Sequence, residues 1–169
     1  TTIQNHNVSS LLAINLNDGG VRWSYTTPND FVLSAPVLGN GNVYLAQAGI
    51  NDVASGAVLA FRESDGKPLW RTTVGAVLIG AGAVSLLSGA GVLGVPLSTT
   101  ATSSPLSPTI ALNMTDGSVR WHKAEPVNLA QGVALDGVVY SFTYSYQYPT
   151  GDAYAVRLSD GATVWHYHP

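Results

Sequence analysis

The chain has 169 residues, 46% of them hydrophobic, and a formal net charge of −3, enough apolar material for one domain with a buried core. Charged residues make up only 10% against about 25% in an average soluble domain; Ser, Thr, Asn, Gly and Tyr take their place, a surface suited to an extracytoplasmic or tightly assembled protein. The basic residues are scattered singly, which argues against nucleic acid as a partner, and the absence of cysteine removes disulfides, thiolate nucleophiles and Cys-based metal sites.

Short apolar alternation predicts strands at residues 10–15 and 21–25, with a third at 1–6. Residues 31–38, 43–48, 57–62 and 67–72 read as four strands of one antiparallel sheet, the first pair joined by the turn Gly39-Asn40-Gly41-Asn42. Residues 73–97 carry no charge and are long enough for a membrane-spanning helix. Glycines at 75, 80, 82, 89, 91 and 94 and many β-branched neighbours favour two buried strands instead. These are expected at 76–86 and 91–97, with Ser88-Gly89-Ala90 as the turn, because strands covered on both faces are apolar throughout. A strand follows at 109–113. Later, Asp136-Gly137 joins two strands, the second over 138–145. No segment combines helical periodicity with capping signals.

One pattern organises these elements. An Ala is followed six residues on by Gly, and four further on by Trp, in Ala13…Gly19…Trp23, Ala60…Gly66…Trp70, Ala111…Gly117…Trp121 and Ala155…Gly161…Trp165. These four are all the tryptophans, spaced 47, 51 and 44 residues apart, a period of propeller blades or helical arrays. In every copy Asp precedes the Gly, and Asp-Gly between alternating segments marks a hairpin, because Gly takes positive φ without steric cost.

The spacing resembles the tryptophan-docking motif of quinoprotein-like (PQQ-like) β-propellers. The resemblance implies an all-β propeller of four-stranded antiparallel blades, about four in this chain, at 1–26, 31–73, 76–123 and 128–169. It also implies that each indole packs between blades against the motif Gly and Ala, with its N–H on a carbonyl of a neighbouring blade. Trp23, Trp70, Trp121 and Trp165 would take that role, partnered by Ala13, Ala60, Ala111, Ala155, Gly19, Gly66, Gly117 and Gly161. The match departs from the family two residues after the Ala, where Asp is common and Asn15, Arg62, Asn113 and Arg157 stand here, and before the Gly, where Thr is common and Asp stands here. Family members usually close with seven or eight blades. Four therefore look like an arc of a larger ring, completed by flanking blades or by a second chain; the missing initiator Met points to a processed or excised segment.

Connections between second and third strands are long, at 49–56, 98–108 and 146–152, and are expected on one face, where loops on a rigid scaffold bind. Phe142, Tyr144, Tyr146 and Tyr148 alternate with polar residues, which puts the rings on one strand face. They serve inter-blade packing, or Tyr146 and Tyr148 form an exposed platform for a sugar or a protein. Asp18, Asp65, Asp116 and Asp160 are explained by turn chemistry, and the other acids form no tight motif. His166 and His168 would face one way on a strand, without an evident third metal ligand. No nucleophile elbow or phosphate loop appears. The expected function is a non-catalytic scaffold for protein–protein interaction or self-assembly outside the cytoplasm, with no cofactor, metal or membrane span. A fragment of a PQQ-dependent dehydrogenase and a carbohydrate-binding propeller are the alternatives.

Overall fold

The computed structural model describes residues 8–28, 31–49, 56–75, 87–89, 91–96, 109–123, 133–142 and 151–168. Every regular element among them is a β-strand. A two-stranded hairpin, β1 (Ser10–Ile14) and β2 (Val21–Thr26), comes first. The second sheet contains β3 (Phe31–Leu33), β4 (Val37–Gly39), β5 (Asn42–Gly49), β6 (Ala57–Arg62) and β7 (Pro68–Thr73). Here β3 and β4 both pair with β5, so the single strand expected over 31–38 is broken at Ser34-Ala35-Pro36; proline lacks the N–H a continuous ladder needs.

The third sheet runs β8 (Leu87–Gly89), β9 (Val92–Pro96), β10 (Thr109–Asn113) and β11 (Val119–Lys123). The fourth runs β12 (Val133–Leu135), β13 (Val138–Phe142), β14 (Ala153–Arg157) and β15 (Thr163–Tyr167). All pairings are antiparallel between neighbours. The strands β8 and β9 fall inside the apolar stretch, and Ser88 and Gly89 belong to β8 rather than to a turn; Gly91 takes the positive φ of 73° that reverses the chain. Among the described residues no helix is long and apolar enough to cross a membrane. The expected strands at 1–6 and 76–86 and the residues 143–150, with Tyr144, Tyr146 and Tyr148, lie outside the described residues.

The sheets stack face to face, and alternation along β5 shows how. Val43 and Leu45 join Leu59 and Phe61 in a cluster with Leu11, Trp23 and Tyr25 of the first hairpin. Tyr44, Ala46 and Ala48 point the other way, into a cluster with Leu93, Val95, Ile110 and Leu112 of the third sheet. A third cluster joins Val92 and Ala111 to Val139, Tyr154 and Val156 of the fourth sheet. Period two still separates the two faces, but both are covered, so β6 is buried at Ala57, Val58, Leu59, Ala60 and Phe61 alike. The short strands β4, β8 and β12 lie side by side, at the inner ends of their sheets.

Candidate interaction site: the indole junctions

Each motif begins as a hairpin with one extra residue. The register slips between Ala13 and Ile14, Ala60 and Phe61, Ala111 and Leu112, and Ala155 and Val156, a bulge that re-aims the strand leading into the turn. The aspartate closes the turn: Asp18, Asp65, Asp116 and Asp160 accept from the backbone N–H two residues on, at 2.8–3.1 Å. The Ser118 hydroxyl and N–H hold the Asp116 carboxyl below its usual range, and the Ala162 N–H, then Arg157, do the same for Asp160. The two residue types at the departing position play two parts. Asn15 and Asn113 cap the turn through their side-chain oxygens, while Arg62 and Arg157 reach Asp65 and Asp160 at 3.0 and 2.7 Å.

The glycine then sits at positive φ, 70–74° in all four copies. The bulge and turn present its bare Cα face to the preceding sheet, and an indole lies on it. A Cβ on Gly66 would stand 2.5 Å from Trp23, on Gly117 2.6 Å from Trp70 and on Gly161 2.8 Å from Trp121. The seat thus needs glycine twice over, for φ and for the close approach. Each ring also places its one donor. Trp23 Nε1 donates to the Glu63 carbonyl at 2.8 Å, Trp70 Nε1 to Met114 at 3.1 Å and Trp121 Nε1 to Leu158 at 2.8 Å. In each case the acceptor lies three residues before the docking glycine. Further bonds frame the ring: Arg22 reaches the Ser64 carbonyl, Thr72 Oγ1 the Gly117 carbonyl at 2.7 Å, and Lys123 Nζ the Gly161 carbonyl at 3.1 Å.

The partnership is directional. Trp23, Trp70 and Trp121 each dock on the glycine of the following motif, while the motif alanine of each sits opposite it in the same hairpin, as in Ala60↔Trp70. Spacing shows that the residues recur together but not which copy meets which. Two members have no such contact among the described residues: a Cβ on Gly19 would meet nothing within 4 Å, and Trp165 is 44% exposed, beside Tyr140.

At the edge of the last sheet, Asp152 meets His168 Nδ1, contacts His166 Nε2 at 3.3 Å and accepts from the Tyr154 hydroxyl at 3.1 Å, while Tyr154 stacks on His166. The His168 contact leads in holding the Asp152 carboxyl below its ordinary range. The imidazole nitrogens are turned onto the carboxylate rather than converging with it on a common point. Among the described residues no group of three or more His, Cys, Asp or Glu could hold a metal ion. Sequence reading had no signal for this Asp152 pairing, because the partners come from separate strands. An open cleft of about 270 Å³ lies between the first two sheets, lined by Leu12, Ile14, Trp23, Pro36 and Leu38 among others.

The stacked antiparallel sheets, joined one to the next by indoles on glycines, have counterparts among known proteins. The family model described as "Outer membrane protein assembly factor BamB" matches residues 4–167. The chain belongs to this family. Comparison with curated proteins finds no match. Among solved structures, BamB from Moraxella catarrhalis is similar at TM-score 0.62 and 17% identity, over 94% of this chain and 50% of that one. A europium-containing methanol dehydrogenase is similar at 0.54 and 16%, over 81% of this chain and 25% of that one. An uncharacterized protein from Listeria monocytogenes EGD-e is similar at 0.55 and 9%, over 98% and 46%. The fold is that of a β-propeller, and the chain spans half the length of the Moraxella protein.

Proposed function

We propose that this chain is a non-catalytic propeller scaffold that binds proteins outside the cytoplasm, as an assembly factor does. The observation that carries the reading is the match of residues 4–167 to a family described by outer-membrane protein assembly. The structure supports it physically. Three successive junctions, each with a seated indole and a placed hydrogen bond, lock four sheets into a stiff row, and stiffness lets loops present a preformed surface. The aromatic pair Tyr146 and Tyr148 belongs to that proposed surface, and the blades are proposed at 1–26, 31–73, 76–123 and 128–169.

The test has two arms. Purified chain is passed over immobilised outer-membrane assembly machinery, and saturable binding weakened by Tyr146→Ala with Tyr148→Ala is expected. In parallel, pyrroloquinoline quinone with Ca²⁺ is titrated in, and no spectral change or thermal stabilisation is expected. Binding of the quinone with no binding to the machinery would replace this reading with a dehydrogenase fragment.

A further inference from the structure

The outer strands β2, β7, β11 and β15 meet at three boundaries, and because the sheets repeat, each boundary is a control for the others. Two residues after the tryptophan, Thr72 and Lys123 cross to the Gly117 and Gly161 carbonyls of the following turn and fasten the second and third boundaries. Tyr25 stands in that place at the first boundary and turns inward instead. Its hydroxyl donates to Oε1 of the buried Gln47 at 3.1 Å, and its ring tilts onto Phe61 at 4.8 Å. The strand beside it departs from the repeat as well. Before the tryptophan, where Arg22 and Arg120 stand, β7 has Leu69, 40% exposed. After it β7 has the exposed Arg71, where the other outer strands have Ser24, His122 and His166. An apolar residue before the indole is also found in β15, as Val164, but β7 alone joins one to an arginine. Departures that the shared packing does not require point to a separate role.

Together they leave an open groove of about 310 Å³, lined by Tyr25, Leu59, Phe61, Pro68, Leu69 and Arg71 among others. Arg71 is close enough to Tyr25 to oppose the upward push that burial gives its hydroxyl. Among the described residues Arg71 bonds the neutral Thr73 hydroxyl at 3.0 Å, whereas Arg62 and Arg157 are paired with Asp65 and Asp160. The sign of the surroundings is uniform. The four outer strands carry Arg22, Arg71, Arg120 and Lys123 and not one Asp or Glu. The strand β7 is also the edge of its sheet, and an extended segment can lie along such an edge with alternate side chains in pockets.

We propose that this groove docks an extended acidic segment of a partner protein, with a large apolar side chain entering between Tyr25 and Leu69 and a neighbouring carboxylate meeting Arg71. This deepens the scaffold reading by giving the chemistry of one partner. It rests on that reading for the partner being a protein, and it uses none of the loop residues proposed above. A segment fits better than an anionic membrane because the site is a concave slot beside one arginine, whereas lipid surfaces are held by clusters of about four to eight cations.

The test pans a phage-displayed library of random heptapeptides on the immobilised chain and measures the enriched peptide, made synthetically, by fluorescence anisotropy. Peptides that combine a large apolar residue with flanking Asp or Glu are expected, with a dissociation constant on the order of 10–100 µM that rises with salt. Arg71→Glu and Leu69→Asp are each expected to weaken binding about tenfold or more, as loss of an anchor does, with melting points within about 2 °C of the parent, as at exposed positions. Arg120→Glu, on the next outer strand, should leave the affinity within about twofold, since its charge is screened at that distance. No enrichment, enriched peptides without acidic residues, or binding that Arg71→Glu and Leu69→Asp leave unchanged overturns the inference. So does sedimentation with phosphatidylserine vesicles that Arg71→Glu abolishes while no peptide binds, which would assign the slot to lipid. Loss of binding to outer-membrane machinery with peptide binding intact would instead sink the assembly-factor reading alone.

Discussion

Trp70 and Trp165 occupy the same place in the same motif and live in different surroundings. Trp70 lies on Gly117, donates to the Met114 carbonyl and packs 5.8 Å from the Tyr44 ring, whose hydroxyl reaches the same carbonyl. Trp165 has the tilted Tyr140 ring at 6.3 Å and is 44% exposed. Gly66 and Gly19 differ in the same sense, one pressed against an indole and the other open. The comparison teaches that the motif is not a self-contained unit. Ala, Gly and Trp of one copy fold a hairpin, but the stabilisation arises between copies. The strands β6 and β10 are therefore buried on both faces, and β15 is exposed along its length.

The comparison breaks most visibly at Trp70. Trp70→Ala should destabilise by about 3–5 kcal/mol, the cost of emptying a large aromatic site, measured by urea unfolding. A cost below about 1 kcal/mol, the level of an ordinary surface change, would mean that the ring is not held as described. Gly117→Ala comes next, at roughly 2–4 kcal/mol, combining the left-handed backbone penalty with overpacking against Trp70 and Thr72. Gly19→Ala, with the same φ and no ring above it among the described residues, should cost only about 1–2 kcal/mol. Equal costs at the two glycines would remove the seat from the explanation.

Trp165→Ala should fall within about 0.5 kcal/mol of the parent, as exposed positions do. The smallest effect is electrostatic. The carboxyls of Asp116, Asp152 and Asp160 are held low in the folded chain by their hydrogen bonds. The stability they contribute is therefore present above the usual carboxylate pKa of about 4 and is lost as pH falls through the folded values. Thermal melts between neutral pH and about pH 3 should show a shallow loss below about pH 4, smaller in Asp152→Asn; a melting point that rises on acidification would contradict the sign.

Much of this was legible in the residues. The Asp-Gly turns, the strands at 57–62 and 109–113 and the hairpin at Asp136-Gly137 follow from local chemistry: an aspartate able to cap its own turn, a residue free to take positive φ, and alternation on a pleated strand. The break at Pro36 was readable too, since proline cannot donate to the ladder; the expected strand over 31–38 ran through it. The reversal after β8 lies at Gly91 because the glycine at positive φ, not the small residues before it, turns the chain.

Local chemistry could set the hairpins and their period, because turn and strand preferences act over a few residues and repeat wherever the motif does. It could not say that each indole leaves its own hairpin for the next one, that Asp152 gathers two imidazoles, or that one glycine and one tryptophan remain without each other among the described residues. The indole contacts depend on which surfaces meet across 40 or so residues of chain, and only the stacking of one sheet on another makes them, while the Asp152 contacts need the pairing of β14 with β15.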